Sequence, residues 1–135
     1  MNIFTYGTLM SEEIWNNVVI AKYKFDKAKL SGFGKKKLKD REYPGLIRCE
    51  GSITDGVIYY DVAEEDVNRL DKFEGEEYER VKVIVEKDSD AIEAFTYLYK
   101  NEFSENILRL EWSYDDFLKN GFESFRNKYK GWGKI

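Results

Sequence analysis

Apolar and polar positions along the chain resolve into short strands and a few amphipathic helices. Asn2 to Thr5 has strand character and is broken at Gly7. Ser11, followed by Glu12 and Glu13, predicts the cap and acidic first turn of a helix carrying Ile14, Trp15 and Val18. Tyr6-Gly7-Thr8-Leu9 is therefore a strand-to-helix turn. From Lys22 to about Lys39 alternating polarity predicts one long strand or two, with Gly32 and Gly34 marking a bulge or bend. Residues 42–46, E-Y-P-G-L, read as a loop set by Pro44 and Gly45, in which Tyr43 either lines a pocket or covers the core.

Strands are expected over Leu46 to Cys49 and Ile53 to Val62, leading into a helix from about Ala63 to Glu74. Val81, Val83 and Val85 alternate, a turn falls around Lys87 to Asp90, and Phe95, Tyr97 and Tyr99 alternate on the return, which predicts a hairpin with its aromatics in the core. A final helix starts at Ser113, with Asp115 and Asp116 in its first turn and Phe117, Gly121 and Phe125 spaced by four. The K-G-W-G-K-I tail reads as an aromatic clasp. Several strands, short helices and mostly antiparallel pairing predict an α+β fold on a curved sheet or small barrel.

The 135 residues fit one domain, 1–135, and 16% aromatics suffice for a packed interior. The start lacks a basic region followed by an apolar core, and no stretch approaches about 18 apolar residues, so a soluble, cytoplasmic protein without membrane association is expected. Twenty-two basic against 26 acidic residues, a net charge of −4, argue against a general nucleic-acid binder. The lysines at 35–37 and 39 form a local exception, read as a solvated strand or turn face. Without any histidine the chain has no histidine triad, histidine base or histidine metal site. Cys49 is alone, which leaves no internal disulfide and no nucleophile with a histidine partner. Proton transfer falls to carboxylates, tyrosine or lysine.

One carboxylate faces the wrong way. Val67, Leu70 and Glu74 fall at i, i+3 and i+7 of their helix, so Glu74 shares the buried stripe, and Gly75 ends the helix beside it. Desolvation and the negative end of the helix dipole both disfavour its charged form and raise its pKa, unless the helix frays and turns Glu74 to solvent. Asp71, about 60° away on the wheel, is the rival. Tyr6 through Leu9 provides the complementary chemistry, because such a turn can leave consecutive N–H groups aimed at one spot, a site for an anion or a developing oxyanion; the alternative is an ordinary tight turn.

With Y-G-T-L at 6–9 and L-D-K-F-E-G at 70–75, followed by Tyr78 and Arg80, the chain resembles the gamma-glutamylcyclotransferase-like, or AIG2-like, family. The likeness extends through the Y-P-G-L turn at 43–46, the aromatic return strand at 95–99 and W-S-Y-D-D-F at 112–117. The resemblance implies a small, mixed, mostly antiparallel β-barrel with flanking short helices. It also implies substrate binding by Tyr6, Gly7, Thr8 and Leu9, and Glu74 as the acid/base. The implied reaction cyclises a gamma-glutamyl amine or dipeptide to 5-oxoproline and releases an amine. The substrate supplies its own nucleophile, so no metal or cofactor is required. Tyr43, Tyr97 and Tyr99 are candidates to hold the substrate, Tyr43 first among them, or to form the wall that desolvates Glu74, and Arg80 is expected to pair with a neighbouring acid rather than with Glu74. The alternative function is a non-catalytic small-molecule binding barrel in which Glu74 holds an amine; a third is a structural protein with its pocket filled by aromatics. Oligomeric state and leaving group are not encoded in any of these features.

Overall fold

In the computed structural model, which describes residues 1–128, five strands close a barrel and a sixth is added outside it. The strands are β1 (Ile3–Thr5), β2 (Phe25–Leu38), β3 (Pro44–Tyr59), β4 (Tyr78–Lys87), β5 (Asp90–Tyr99) and β6 (Ile107–Glu111). Around the ring β3 pairs β1, β1 pairs β5, β5 pairs β4, β4 pairs β2, and β2 returns to β3. Only the β1–β5 seam is parallel. This is the mixed, mostly antiparallel barrel anticipated above, and closure removes the exposed edges that an open five-stranded sheet would carry.

Period-two alternation sorts side chains into two apolar layers. Phe4, Leu30, Leu46, Ile58, Val83, Val85, Ala94 and Leu98 fill the barrel. Their neighbours Ile3, Tyr59, Tyr97 and Tyr99 pack with the helices in a second cluster. There α1 (Glu12–Val18) contributes Ile14, Trp15 and Val18, with Trp15 stacked on Tyr59 at 3.6 Å between ring centroids. Ser11 caps α1 by accepting from the Ile14 N–H. The second helix, α2 (Glu64–Glu74), buries Val67 and Leu70 and ends at Gly75, whose φ of +81° is a conformation L side chains rarely adopt.

Four local differences from expectation have plain causes. Pro44 already belongs to β3, shortening the expected 42–46 loop, because at the first strand position its missing N–H removes little from the ladder. The two strands expected around Cys49 and Ile53 are one bent strand: Gly51 takes a φ of +84° and the register against β2 jumps from Ser31↔Ile53 to Phe33↔Arg48. The facing bulge sits at Gly32, with φ +86°, and not at Gly34. That strand ends at Tyr59, short of Val62, where Asp61 turns to positive φ.

The 88–89 turn and its hairpin, β4 with β5, lie where the alternation places them. Residues 114–128 form the last helical segment, capped by Ser113 and interrupted by a π turn over Phe117–Gly121. It seats Phe117 and Phe125 in the outer cluster, across the sheet as expected. The expected aromatic clasp lies outside the described residues. Among these, no helix is long and apolar enough to cross a membrane.

Candidate functional site

At one end of the barrel, β1 runs out into a 3-10 turn over Thr8–Met10 that leads to α1. Met10 and Ser11 donate back to Gly7 and Thr8, closing the turn. The N–H groups of Gly7, Thr8 and Leu9 have no hydrogen-bond acceptor among the described residues. Gly7 lies so close to the Pro44 ring that an added Cβ would meet it at 2.9 Å, so the Y-G-T-L and Y-P-G-L motifs touch at this point.

Glu74 arrives from the other side, at the last position of α2. A narrow cleft of about 20 Å³, room for roughly one water, is lined by Tyr6, Gly7, Thr8, Leu9, Tyr43 and Glu74, with Tyr78 and Tyr97 completing its wall. Tyr6 through Leu9, Tyr43, Tyr97 and Glu74 therefore border one space, whereas Tyr99 and Asp71 do not line it. A wider cleft of about 250 Å³ shares Thr8, Tyr43, Glu74 and Tyr78 and extends past Phe73, Glu76, Glu77 and Phe125.

Glu74 is half-buried as a residue and accepts no hydrogen bond from the described residues. Its carboxyl is enclosed by protein, and desolvation first, then the negative charge of Asp71, push its pKa up to about 8. The helix does not fray at Gly75, and the acid stays on the buried stripe. Asp71 has a different role: it accepts from Arg80 at 2.5 Å and from the Tyr97 hydroxyl at 2.6 Å. Arg80 is thus paired with an acid other than Glu74.

The tyrosine hydroxyls around the cleft are engaged. Tyr6 donates to the Tyr97 carbonyl at 2.7 Å, and Tyr78 donates to the Pro44 carbonyl at 2.6 Å. Burial foremost, and the neighbouring Glu74, raise both pKa values well above the ordinary phenol range. They are neutral donors and walls, not bases. Tyr43 accepts from Arg41, which also binds Glu77, and Tyr99 donates to that same Glu77 at 2.9 Å.

Two residues escape a pattern-based reading. Tyr78 lines both clefts, and only its spacing after the F-E-G motif points to it. Lys35 is not on a solvated face: its ammonium donates to the Tyr6 carbonyl at 3.0 Å and the Asp55 carbonyl at 3.2 Å, and sits over the Trp112 ring. Burial lowers its pKa. A run of lysines gives no sign of which member turns inward, since that depends on the twist of β2 and on Trp112, far along the chain.

Residues 3–117 match the family described as gamma-glutamyl cyclotransferase, AIG2-like. The chain belongs to that family. Among its relatives is AIG2-like protein A of Arabidopsis thaliana, 28% identical over 131 residues, covering 96% of this chain and 79% of the relative. A solution structure of an Arabidopsis thaliana protein superposes with a TM-score of 0.72 at 26% identity, covering 96% and 87% of the two chains. A structure titled gamma-glutamyl cyclotransferase shares the fold, with a TM-score of 0.65 at 19% identity over 74% of this chain and 66% of that one. The gamma-glutamyl cyclotransferase, AIG2-like fold thus accounts for the barrel and its flanking helices.

Proposed function

We propose that the protein is a gamma-glutamyl cyclotransferase acting on a gamma-glutamyl amine or dipeptide, with Glu74 as general acid/base and Tyr6, Gly7, Thr8, Leu9 and Tyr43 binding the substrate. The observation that carries this reading is the enclosed Glu74 carboxyl, its pKa pushed up by desolvation, lining the same cleft as three N–H groups without acceptors among the described residues. Family membership supports the reaction type.

The substrate's α-ammonium gives a proton to ionised Glu74, which frees the nitrogen lone pair. That nitrogen attacks the side-chain amide carbonyl carbon and closes a five-membered ring. Negative charge gathers on the carbonyl oxygen, where the Gly7, Thr8 and Leu9 N–H groups act as an oxyanion site. Glu74 returns its proton to the departing nitrogen as the carbon–nitrogen bond breaks, and the second proton shed by the ring nitrogen leaves the released amine as an ammonium. The products are 5-oxoproline and the free amine. A base with a pKa near 8 suits this exchange, because its proton affinity lies close to that of an α-amine. The aromatic walls favour the folded conformer that brings amine and carbonyl together.

The test incubates the protein with a panel of gamma-glutamyl amines and dipeptides and measures 5-oxoproline. Turnover of at least one member, lost in Glu74→Gln, is expected. Saturable binding of these compounds with no 5-oxoproline released would overturn the catalytic assignment in favour of a binding barrel.

A further inference from the structure

We propose that Asp71 is a positioning residue that adds to burial in keeping the proton on Glu74, as a fixed negative charge one helical turn away that Arg80 and Tyr97 hold in place. On α2 the two carboxyls stand at i and i+3, neighbouring places on one helix surface. Asp71 is held there by two donors from separate strands of the barrel. The Arg80 guanidinium comes from β4 and the Tyr97 hydroxyl from β5. Asp71 therefore cannot swing away from Glu74 without giving up a charge-assisted bond and a buried phenol's partner.

The other groups facing Glu74 do not carry a compensating charge. Tyr6 beyond β1, Tyr78 on β4 and Tyr97 on β5 are neutral phenols, Tyr43 lines both clefts, and Glu76 and Glu77 border the wider one. Of the latter, Glu77 is taken up by Arg41 and Tyr99. Arg80 makes its ion pair with Asp71 and not with Glu74. Its bond to Asp71, and its place over the Phe95 ring, occupy it elsewhere. The pair is a divided arrangement: Asp71 repels the charged form of Glu74, and Arg80 offsets part of that repulsion.

Opposite signs follow for the two partners. Removing the Asp71 charge relieves the repulsion, so Glu74 gives up its proton at lower pH. Removing Arg80 leaves the Asp71 charge unopposed, so Glu74 keeps its proton to higher pH. The decisive measurement is a 13C-detected pH titration of the Glu74 side-chain carboxyl, assigned by its disappearance in Glu74→Gln. In Asp71→Asn, whose single amide oxygen can keep the Tyr97 hydroxyl bond but not the Arg80 one as well, the midpoint is expected to fall by about one pH unit. In Arg80→Met it is expected to rise. A midpoint unmoved in Asp71→Asn overturns the proposal, and so does a midpoint that falls in Arg80→Met, which decides the matter if Asp71→Asn does not fold. The kinetic consequence rests on the reading of Glu74 as the base: the acid limb of kcat/KM should move in the same two directions. If no gamma-glutamyl compound is turned over, that reading fails, while the carboxyl titration still decides the role of Asp71. A purely structural Asp71 would lower the plateau rate and leave both midpoints in place.

Discussion

A glutamate that keeps its proton to about pH 8 destabilises the fold whenever it ionises, and this gives Glu74 a signature independent of catalysis. In the unfolded chain its carboxyl titrates at the ordinary value of 4.5, and in the folded protein at about 8. Between those values the folded state binds the extra proton, so stability falls as pH rises through the window and is fully reduced above it. The total is on the order of a few kcal/mol, because each tenfold change in proton affinity is worth roughly 1.4 kcal/mol. Glu74→Gln removes the ionisation and keeps the shape. Its melting temperature should exceed the wild type's by more at pH 9 than at pH 5, and thermal melts at the two pH values measure this directly. An equal difference at both would mean that the carboxyl is solvated. The same substitution should lower kcat by about 100-fold or more, the ordinary contribution of a positioned acid/base.

At the scale of elements, the donor turn depends on how closely it packs against β3. Gly7→Ala would drive a Cβ to 2.9 Å from the Pro44 ring, and Pro44 itself lines the cleft. The turn would have to shift, so kcat/KM should fall by about tenfold or more while the melting temperature changes little; steady-state kinetics beside a melt separate the two. The last helical segment has the converse role. Phe125 is 2% exposed and meets Phe117 and Phe73 edge-on, so Phe125→Ala should cost about 3–5 kcal/mol by chemical denaturation. A loss below about 1 kcal/mol would make the segment peripheral.

These elements differ in how much of them the sequence announces. The end of α2 is legible because Gly75 and the 3.6-residue period are local signals, and the β4–β5 hairpin because alternation flanks a turn. The strand β6 is not: Leu108 and Leu110 are exposed, and its pairing with Lys36 and Leu38 of β2 is fixed by a partner about 70 residues earlier. The π turn is equally hidden, since Phe117, Gly121 and Phe125 at four-residue spacing fit an unbroken helix as well. In the cleft, residue identities are readable from the motifs, whereas the hydroxyl partners of Tyr6, Tyr78 and Tyr97 depend on backbone carbonyls and on Asp71, which only the closed barrel brings near.

Over the whole molecule, the cleft exists because β1 is held between β3 and β5, which carries the Y-G-T-L turn to the end of α2. The β3 side of β1 is an antiparallel ladder of three residue pairs. The β5 side is parallel and has a single paired position, Ile3 with Phe95. Side chains make up the difference. Thr96, fully buried, donates to the Phe4 carbonyl at 2.8 Å, and Tyr6 donates to the Tyr97 carbonyl one step further along. Closure of the barrel at this seam thus depends on a hydroxyl that an aliphatic residue of the same shape cannot replace. Thr96→Val keeps the volume and removes the donor, leaving a buried carbonyl without it, and should cost about 1–3 kcal/mol. Because the seam also positions the donor turn, kcat/KM should fall with it, and the N–H groups of Gly7, Thr8 and Leu9 should exchange with solvent hydrogen faster relative to those of the β4–β5 hairpin. Residue-resolved hydrogen exchange on the wild type and Thr96→Val measures that ratio. A uniform acceleration across both regions would show that the seam contributes only to global stability, and an unchanged denaturation midpoint would show that the Thr96 hydroxyl does not hold β1 to β5.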